Sequence, residues 1–269
     1  AFTPWEWHAP LKKLAESLGL EFFSTPFDAT AVDFLEDLGV QAYKIASFEL
    51  VDIPLLGKVA ATGKPVVMST GMATLAEIDE AVTTLRKGGA GPLTLLKCTS
   101  AYPAPPGDAN LRTIPAMAEL FHCRAGLSDH TMGSAAAIAA VALGAAMIEK
   151  HFTLSRADGG PDGAFSMEPD EFGRMAADIR TAEAALGRVC FEPADGERAS
   201  RVFRSSLFVA EDVAAGEVFT PRNVRSVRPG CGLHTRHLPE VIGLKAAVAV
   251  AKGTPLDWGM IQFHAGGRK

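Results

Sequence analysis

The chain has 269 residues, of which 48% are hydrophobic and 21% charged, and its formal net charge is −5. This composition is typical of a folded globular protein with one large domain, or with a large and a small one. Nucleic acid is not the expected partner, because binding a phosphate backbone needs clustered Lys and Arg that the sequence lacks. The longest apolar run, residues 134–148, is too short to span about 30 Å of hydrocarbon, so no membrane is expected.

Short strand-like runs alternate with helical runs from about residue 20 onward. The predicted strands are residues 22–27, 42–47, 65–70, 93–100, 125–130 and 147–153. The predicted helices are residues 29–38, 50–61, 75–87, 111–121, 134–143 and 169–186. Strands that alternate with helices at this spacing predict βαβ units and a parallel α/β sheet.

Two parallel architectures compete for this pattern. A Rossmann-type sheet requires a glycine-rich phosphate turn after its first strand, and no GxGxxG motif is present. A TIM-type (β/α) barrel places its chemistry at the carboxyl ends of several strands, and every predicted strand here carries polar residues at or near its carboxyl end. The sequence therefore favours a barrel of which about six of the eight βα units are visible.

The pattern changes after about Gly187. We predict a barrel domain over residues 1–190, a polar linker over 191–205 and a small, mostly β domain over 206–269. The opening residues, AFTPWEWH, do not resemble a translation start, and we expect the barrel to be truncated at its N-terminal side. No secretion signal opens the chain, so the expected location is the cytoplasm.

His130 and His151 end two successive predicted strands. Neighbouring parallel strands would bring both imidazoles to one rim of the barrel, where two protein ligands leave positions open on a divalent metal. Asp129 would then orient an imidazole. The alternative is that both are ordinary histidines at strand ends, one of them hydrogen-bonded in the core.

Lys44, Lys97 and Lys150 interrupt otherwise apolar predicted strands. Packing does not explain a lysine in a strand covered on both faces. With the nearby hydroxyls the ammonium groups would form an anion site, unless their side chains simply extend to the rim. The loop 158–162 and Glu49 lie near the same rim, and Arg228 precedes a Pro-Gly turn.

Taken together, these segments resemble the sialic acid synthase family. The matching motifs, in chain order, are STPF (24–27), YKI (43–45), STGM (69–72), KCTSAYP (97–103), LSDHT (127–131), IEKHFT (148–153), GPD (160–162), EPDEF (168–172) and RPG (228–230). Within the family, TPWEWH (3–8), ASFE (46–49) and ADGGPD (157–162) are most similar to the pseudaminic acid synthase branch.

The resemblance implies a barrel followed by a SAF domain, which is similar to type III antifreeze protein. It also implies an enzyme that condenses phosphoenolpyruvate with an open-chain N-acetylated amino sugar and releases phosphate by C–O cleavage. For the pseudaminic branch the sugar is of the 2,4-diacetamido-2,4,6-trideoxy-altrose type. A domain-swapped homodimer is implied as well.

Residue roles follow from the same resemblance. His130 and His151 would hold the divalent metal, Mn²⁺ or Mg²⁺, that polarises the sugar aldehyde. The positions that match phosphoenolpyruvate contacts are Thr25, Lys44, Ser47, Ser69, Ser100 and Ser128. The positions that match sugar contacts are Glu49, Tyr102, Asp162 and Arg228, the last delivered from a partner subunit.

The chain departs from the family at its beginning, where nothing matches the segment that carries the family's catalytic glutamate. We therefore expect the 269 residues alone not to turn over. Other functions stay open: an N-acetylneuraminate or legionaminic acid synthase, and a non-catalytic sugar- or phosphate-binding protein on a truncated barrel. A 3-deoxy sugar-phosphate synthase is a weaker alternative, because those relatives lack an appended SAF domain.

Overall fold

The structure is a computed structural model that describes residues 3–263. The chain divides into two compact units, Ala1–Arg188 and Val189–Lys269. Within residues 3–263, none of the helices combines the length and hydrophobicity needed to cross a lipid bilayer.

The first unit alternates helices with parallel strands, as the sequence pattern predicted. Its elements are α1 (Trp5–Ser17), α2 (Ala29–Leu38), β1 (Tyr43–Ile45), α3 (Ile53–Ala60), β2 (Val66–Ser69), α4 (Leu75–Lys87), β3 (Leu93–Cys98), α5 (Thr113–Phe121), β4 (Arg124–Asp129), α6 (Ala135–Ala142), β5 (Ile148–Lys150) and α7 (Pro169–Leu186). The predicted bounds of α2, α4 and α7 are confirmed, whereas α1 was not predicted.

Local capping chemistry fixes the helix ends. The Asp28 carboxylate accepts a hydrogen bond from the backbone N–H of Ala31 at 2.9 Å, and Gly39 ends the same helix with φ at 72°. Thr74 and Glu77 form a reciprocal capping box at the start of α4.

The five strands form one parallel sheet in the order β1-β2-β3-β4-β5. Side chains on successive residues of a strand point to opposite faces of the sheet. One face, here called the helix face, carries Ile45, Met68, Leu95 and Leu127, which are buried in the main hydrophobic core with the helices. The opposite face, here called the cavity face, carries polar residues at the carboxyl ends of the strands.

The predicted strand over residues 22–27 is wrong. Only Ser24 pairs with the sheet, through a single bridge to Tyr43, and its carbonyl accepts from the Lys44 N–H at 3.1 Å. Pro26 has no N–H to continue a ladder, and Asp28 caps the next helix two residues later. The other five predicted strands are confirmed, with shifted ends.

The second unit is small and mostly β. Its elements are α8 (Asp195–Arg198), β6 (Ser206–Val209), β7 (Val224–Val227), α9 (Leu238–Val241), β8 (Lys245–Ala246) and β9 (Ile261–Gln262). Two antiparallel pairs, β6 with β7 and β8 with β9, enclose a separate core around the fully buried Phe219, Leu207 and Leu256.

Candidate active site

A polar cavity of about 530 Å³ opens at the carboxyl ends of the strands in the first unit. This is the size range of small-molecule sites, and this end of a parallel sheet is where α/β proteins bind ligands. Its lining residues are Thr25, Phe27, Lys44, Ala46, Ser47, Phe48, Ser69, Cys98, Tyr102, Ser128, His130, Glu149, His151 and Asp162.

The pairing of β4 with β5 explains why two histidines 21 residues apart meet. Ser128 pairs with Glu149 and Asp129 with Lys150, so one further step places His130 opposite His151. Alternation then sends Ser128, Glu149 and both histidines to the cavity face, and Asp129 and Lys150 to the helix face.

The two imidazole rings lie with their centroids 5.1 Å apart. His130 Nδ1 lies 2.9 Å from the Thr99 carbonyl oxygen. A carbonyl only accepts, so Nδ1 carries the proton and Nε2 is left with its lone pair. His151 Nδ1 faces the Asp162 carboxylate at 3.6 Å, and Tyr102 and Phe165 pack against these rings.

Burial and neighbouring charges move the pKa values of the two imidazoles in opposite directions. Burial alone would lower the pKa of His130, but the Cys98 thiol and the Thr99 carbonyl raise it overall. Burial and the nearby His130 lower the pKa of His151, and Asp162 offsets only part of that effect. His151 is therefore the imidazole that stays neutral more readily.

Cys98 lies between the imidazole and hydroxyl groups of the cavity. Its thiol is 3.8 Å from His130 Nδ1 and 3.7 Å from the Ser100 hydroxyl. Burial raises the pKa of this thiol, but hydrogen bonds with His130, Ser47 and Ser100 outweigh burial and bring the pKa to about 7.

Lys44 forms a cationic wall on the other side of the cavity. Its ammonium donates to the Ser69 hydroxyl at 2.8 Å and to the Ile45 carbonyl at 2.9 Å, and it lies 3.6 Å from a Glu149 oxygen. The Ser128 hydroxyl donates to the same carboxylate at 2.7 Å. Burial lowers the pKa of Lys44, although Glu149 opposes that effect.

The backbone approaches this wall closely at Gly71, which follows β2. Its N–H donates to the Ser47 hydroxyl at 3.0 Å. A Cβ at position 71 would lie 2.8 Å from that hydroxyl and closer still to the Ser100 hydroxyl. Glycine is therefore required here so that the hydroxyls can gather around one point.

Asp162 is carried on a loop after β5 that Arg156 anchors. The Arg156 backbone N–H donates to Glu168 at 2.8 Å and its Nε to the Ser166 carbonyl at 3.0 Å, while its guanidinium also contacts Glu171. These bonds tie the loop to the start of α7 and hold Asp162 over His151.

The structure brings most of the sequence-predicted site residues into this one cavity. The residues that line it are Thr25, Lys44, Ser47, Ser69, Ser128, Tyr102, His130, His151 and Asp162. Ser100 lies behind Cys98 and contacts its thiol. Glu49 does not line the cavity, and its Oε2 is inaccessible to water with no hydrogen-bond partner in residues 3–263. Arg228 is exposed on the second unit.

Two sequence expectations are corrected. Asp129 does not orient a histidine: its carboxylate accepts from the Thr131 N–H at 2.9 Å and pairs with Lys150 at 2.7 Å on the helix face. Lys97 and Lys150 also belong to that face, because strand alternation separates them from Lys44. The predicted anion site therefore contains one lysine rather than three.

Sequence reasoning assigned no role to five residues that line the cavity: Phe27, Ala46, Phe48, Cys98 and Glu149. The signal for Glu149 was available, since it precedes His151 by two residues and so shares its face of β5. Cys98 likewise sits two residues before Ser100. Nothing in the sequence pattern distinguishes Phe48 from a core residue.

Comparison with known proteins gives a consistent result. The model of the NeuB family matches residues 1–190 and that of the SAF domain matches residues 204–262. The pseudaminic acid synthase of Helicobacter pylori is 44% identical over 260 residues, which are 96% of this chain and 76% of that protein. The N,N'-diacetyllegionaminic acid synthase of Campylobacter jejuni is 39% identical over 239 residues, 88% of this chain and 72% of that protein.

A solved structure shares the architecture. The crystal structure of N-acetylneuraminic acid synthetase from Leptospira borgpetersenii, in complex with citrate, superposes with a TM-score of 0.69 at 34% identity, covering 74% of this chain and 69% of that one.

Proposed function

Because this chain belongs to the NeuB family and carries a SAF domain, we propose that it is an enzyme that condenses phosphoenolpyruvate with an open-chain N-acetylated amino sugar. The products are a nonulosonic acid of the pseudaminic type and inorganic phosphate. The relatives named pseudaminic acid synthase, which cover nearly the whole chain at 40–44% identity, support this branch over the legionaminic and sialic ones.

The observation that carries the proposal is a single cavity with two chemically different walls. One wall presents the Lys44 ammonium and the hydroxyls of Ser47, Ser69 and Ser128, which suits the phosphate and carboxylate of phosphoenolpyruvate. The other presents His130, His151, Tyr102 and Asp162, which suits a polar sugar. The two substrates would meet between these walls, and this proximity lowers the barrier to their reaction.

The reaction balances with one water molecule. C3 of phosphoenolpyruvate forms a bond to the aldehyde carbon of the sugar, and water adds at C2. The bond between C2 and the phosphate oxygen then breaks, so that phosphate leaves and C2 becomes the ketone of a 2-keto-3-deoxy acid. Lys44 and the hydroxyls hold the departing phosphate, and charge-assisted bonds to it stabilise the negative charge that accumulates on its oxygens.

The two histidines fit the divalent metal that the family resemblance implies. The Nδ1 hydrogen bond of His130 to the Thr99 carbonyl is the outer interaction typical of metal-ligating histidines, and it leaves the lone pair of Nε2 available to a metal ion. Two imidazoles favour Mn²⁺ over Mg²⁺. When bound, such an ion supplies Lewis acidity toward the sugar aldehyde.

Oxygen atoms from outside the chain would complete this metal site. No group of three His, Cys, Asp and Glu side chains in residues 3–263 is arranged to hold an ion. Two protein ligands are compatible with a site that keeps positions open for substrate and water.

A homodimer and a cytoplasmic location belong to the same proposal. Arg228 of one copy would reach the cavity of its partner, as the family resemblance implies. Mixing the inactive Arg228→Ala and Lys44→Met variants tests this, because a mixed dimer contains one intact site and regains part of the activity. Phosphoenolpyruvate is a metabolite of the cytoplasm, which supports that location.

Phosphate release from phosphoenolpyruvate with Mn²⁺ tests the function. We expect the product of the full coding sequence to release phosphate with the diacetamido trideoxy sugar and not with N-acetylmannosamine, and the 269 residues alone not to turn over. His130→Ala and His151→Ala should abolish release, whereas His122→Asn, at an exposed helix end with φ of 46° that Asn tolerates, should retain it.

The outcomes separate the candidate functions. Release with N-acetylmannosamine alone would keep the reaction and overturn the branch. Binding of phosphoenolpyruvate without release for either sugar, by the complete folded gene product, would favour the binding-protein function instead.

A further inference from the structure

Two phenylalanines expose their rings in a cavity whose other lining residues, apart from Ala46, carry charged or polar groups. Phe27 is 64% exposed and Phe48 is 61% exposed, and both line the cavity beside Lys44 and His130. An apolar ring left open to water contributes little to folding, so packing within residues 3–263 does not account for either side chain.

Phe48 is held on a short turn next to the anion-binding wall. The Glu49 N–H donates to the Ala46 carbonyl at 3.2 Å and the Asp52 N–H to the Glu49 carbonyl at 3.0 Å. The preceding residue, Ser47, is fixed by the Gly71 N–H. The ring is therefore presented from a backbone that is hydrogen-bonded on both sides of it.

Phe27 lines two of the described cavities, whereas Phe48 lines one. Phe27 also lines a neighbouring space of about 330 Å³ with Trp5, His8 and Phe34, so its removal would alter both. Among the cavities described, Phe48 lines only the polar one. A substitution of Phe48 therefore tests this cavity without altering the neighbouring one.

The chemistry of the substrates indicates which of them an apolar wall contacts. Phosphoenolpyruvate carries two anionic groups and no methyl group. The diacetamido trideoxy sugar carries a methyl at C6 and an acetamido methyl at C4, where N-acetylmannosamine carries hydroxyl groups. Burying such hydroxyls against a ring without hydrogen bonds is unfavourable.

We propose that Phe48, together with Phe27, forms a specificity-determining wall that packs against the C4 acetamido and C6 methyl groups of the sugar. This inference rests on the proposed function, since it names the part of the proposed substrate that the wall recognises. A single methylene in an apolar pocket changes selectivity about 10- to 200-fold, so two methyl-bearing substituents are enough to decide between these sugars.

Binding of unreactive sugar analogues tests the wall separately from catalysis. Reducing the two sugars gives open-chain alditols, which lack the aldehyde and bind without reacting. Their Kd values are measured by calorimetry, with phosphoenolpyruvate present, for the wild type, Phe48→Ala, Phe48→Leu and the control Phe191→Ala. Phe191 is 97% exposed in the second unit and does not line the cavity.

We expect Phe48→Ala to weaken the diacetamido alditol about tenfold or more and N-acetylmannosaminitol less than about threefold. Phe48→Leu keeps an apolar side chain and should fall between the wild type and Phe48→Ala, and Phe191→Ala should match the wild type. The ratio of the two Kd values does not depend on the folded fraction of a variant.

The inference is overturned if Phe48→Ala leaves the ratio of the two Kd values unchanged. It is also overturned if the wild type binds neither alditol. Phosphate release with the aldehyde sugars is assayed in parallel. Alditol selectivity that depends on Phe48 without any phosphate release would support the wall and contradict the proposed reaction.

Discussion

Two lysine–carboxylate pairs in the first unit lie on opposite faces of the same sheet, and they are built for different purposes. On the helix face, Lys150 and Asp129 are 2.7 Å apart with side chains 2% and 1% exposed, and Thr131 supplies further bonds. On the cavity face, Lys44 and Glu149 are 3.6 Å apart, and the glutamate side chain is 40% exposed.

The difference shows how the two faces of one sheet divide the fold and the site between them. The helix-face pair is complete without a ligand, because each charge is matched and hydrogen-bonded inside the protein. In the cavity-face pair the distance is too long for a strong hydrogen bond, and the Lys44 ammonium remains open to the cavity. An anion that enters can therefore replace the glutamate as its partner.

The largest expected effect comes from breaking the helix-face pair. Asp129→Ala leaves the buried Lys150 ammonium without a counter-charge, with only the Thr131 carbonyl as a partner, and should lower the free energy of unfolding by about 3–5 kcal/mol. Urea denaturation measures this. The double variant Asp129→Ala/Lys150→Met should recover most of the loss, since neither charge then remains. A loss below about 1 kcal/mol in the single variant would mean that the pair does not behave as a buried one.

Breaking the cavity-face pair at the lysine should affect ligand binding instead. Lys44→Met is expected to weaken phosphoenolpyruvate binding about 10- to 100-fold, the range for hydrogen bonds to charged groups. Calorimetry measures the Kd, and Lys58→Met, which removes a lysine paired with Asp33 outside the cavity, is the control. Unchanged affinity in Lys44→Met would contradict the assignment of this wall.

The same variant has a defined pH dependence of stability. Burial lowers the pKa of Lys44 in the folded protein below its ordinary value of 10.5. The charged ammonium therefore weakens the fold below pH 10.5, and this cost disappears as the pH rises toward that value. The gain in the free energy of unfolding of Lys44→Met over the wild type should therefore be largest near neutral pH and should narrow at alkaline pH.

Removing the carboxylate of the cavity-face pair should have a smaller effect, with the opposite sign for ligand binding. Glu149→Gln keeps an acceptor for the Ser128 hydroxyl and takes away the negative charge that competes with an incoming anion for Lys44. One such repulsion near 4 Å in water is about 1 kcal/mol, so the affinity for phosphoenolpyruvate should rise about fivefold. Weaker binding in Glu149→Gln would mean that the carboxylate helps to hold the substrate.

The smallest expected effect comes from changing Glu49. This carboxylate is half-buried, intermediate between the buried helix-face pair and the open cavity-face pair, and one of its oxygens has no hydrogen-bond partner in residues 3–263. Burial raises the pKa of Glu49 above its ordinary 4.5, although Lys44 partly opposes this. Ionisation of Glu49 therefore weakens the fold as the pH rises above 4.5. Glu49→Gln should be more stable than the wild type at neutral pH, and thermal unfolding should show the difference vanishing below pH 4.5. A constant difference across this range would exclude titration of Glu49 as its cause.

Much of the fold was predictable because its signals are local. Asp28 and Gly39 mark the ends of α2, and Thr74 begins α4 with its capping box. The absence of a strand over 22–27 was not predictable, since the composition of that segment is strand-like while pairing depends on residues distant in the sequence.

The site was predictable where residue type and strand position agree. His130, His151, Lys44, Ser69 and Ser128 follow from polar residues at the carboxyl ends of parallel strands. The face to which each lysine points was missed for Lys97 and Lys150, because it depends on alternation relative to a known cavity-face residue. The rings of Phe27 and Phe48 were missed as well, since an apolar residue carries no sign of its exposure in the sequence.

The alignment of β4 with β5 has a consequence for how this protein tolerates changes in length. Each pair of opposed residues in the two strands differs by 21 in residue number. This one register positions both the residues of the site and those of the core. Inserting one residue within β5 would shift this register by one and move each side chain after the insertion to the opposite face of the sheet. His151 would leave the cavity, and Lys150, the partner of Asp129, would enter it. Insertions are harmless only in the connecting loops, so sequence changes in this region of the chain should occur by substitution within the strands and by length variation outside them.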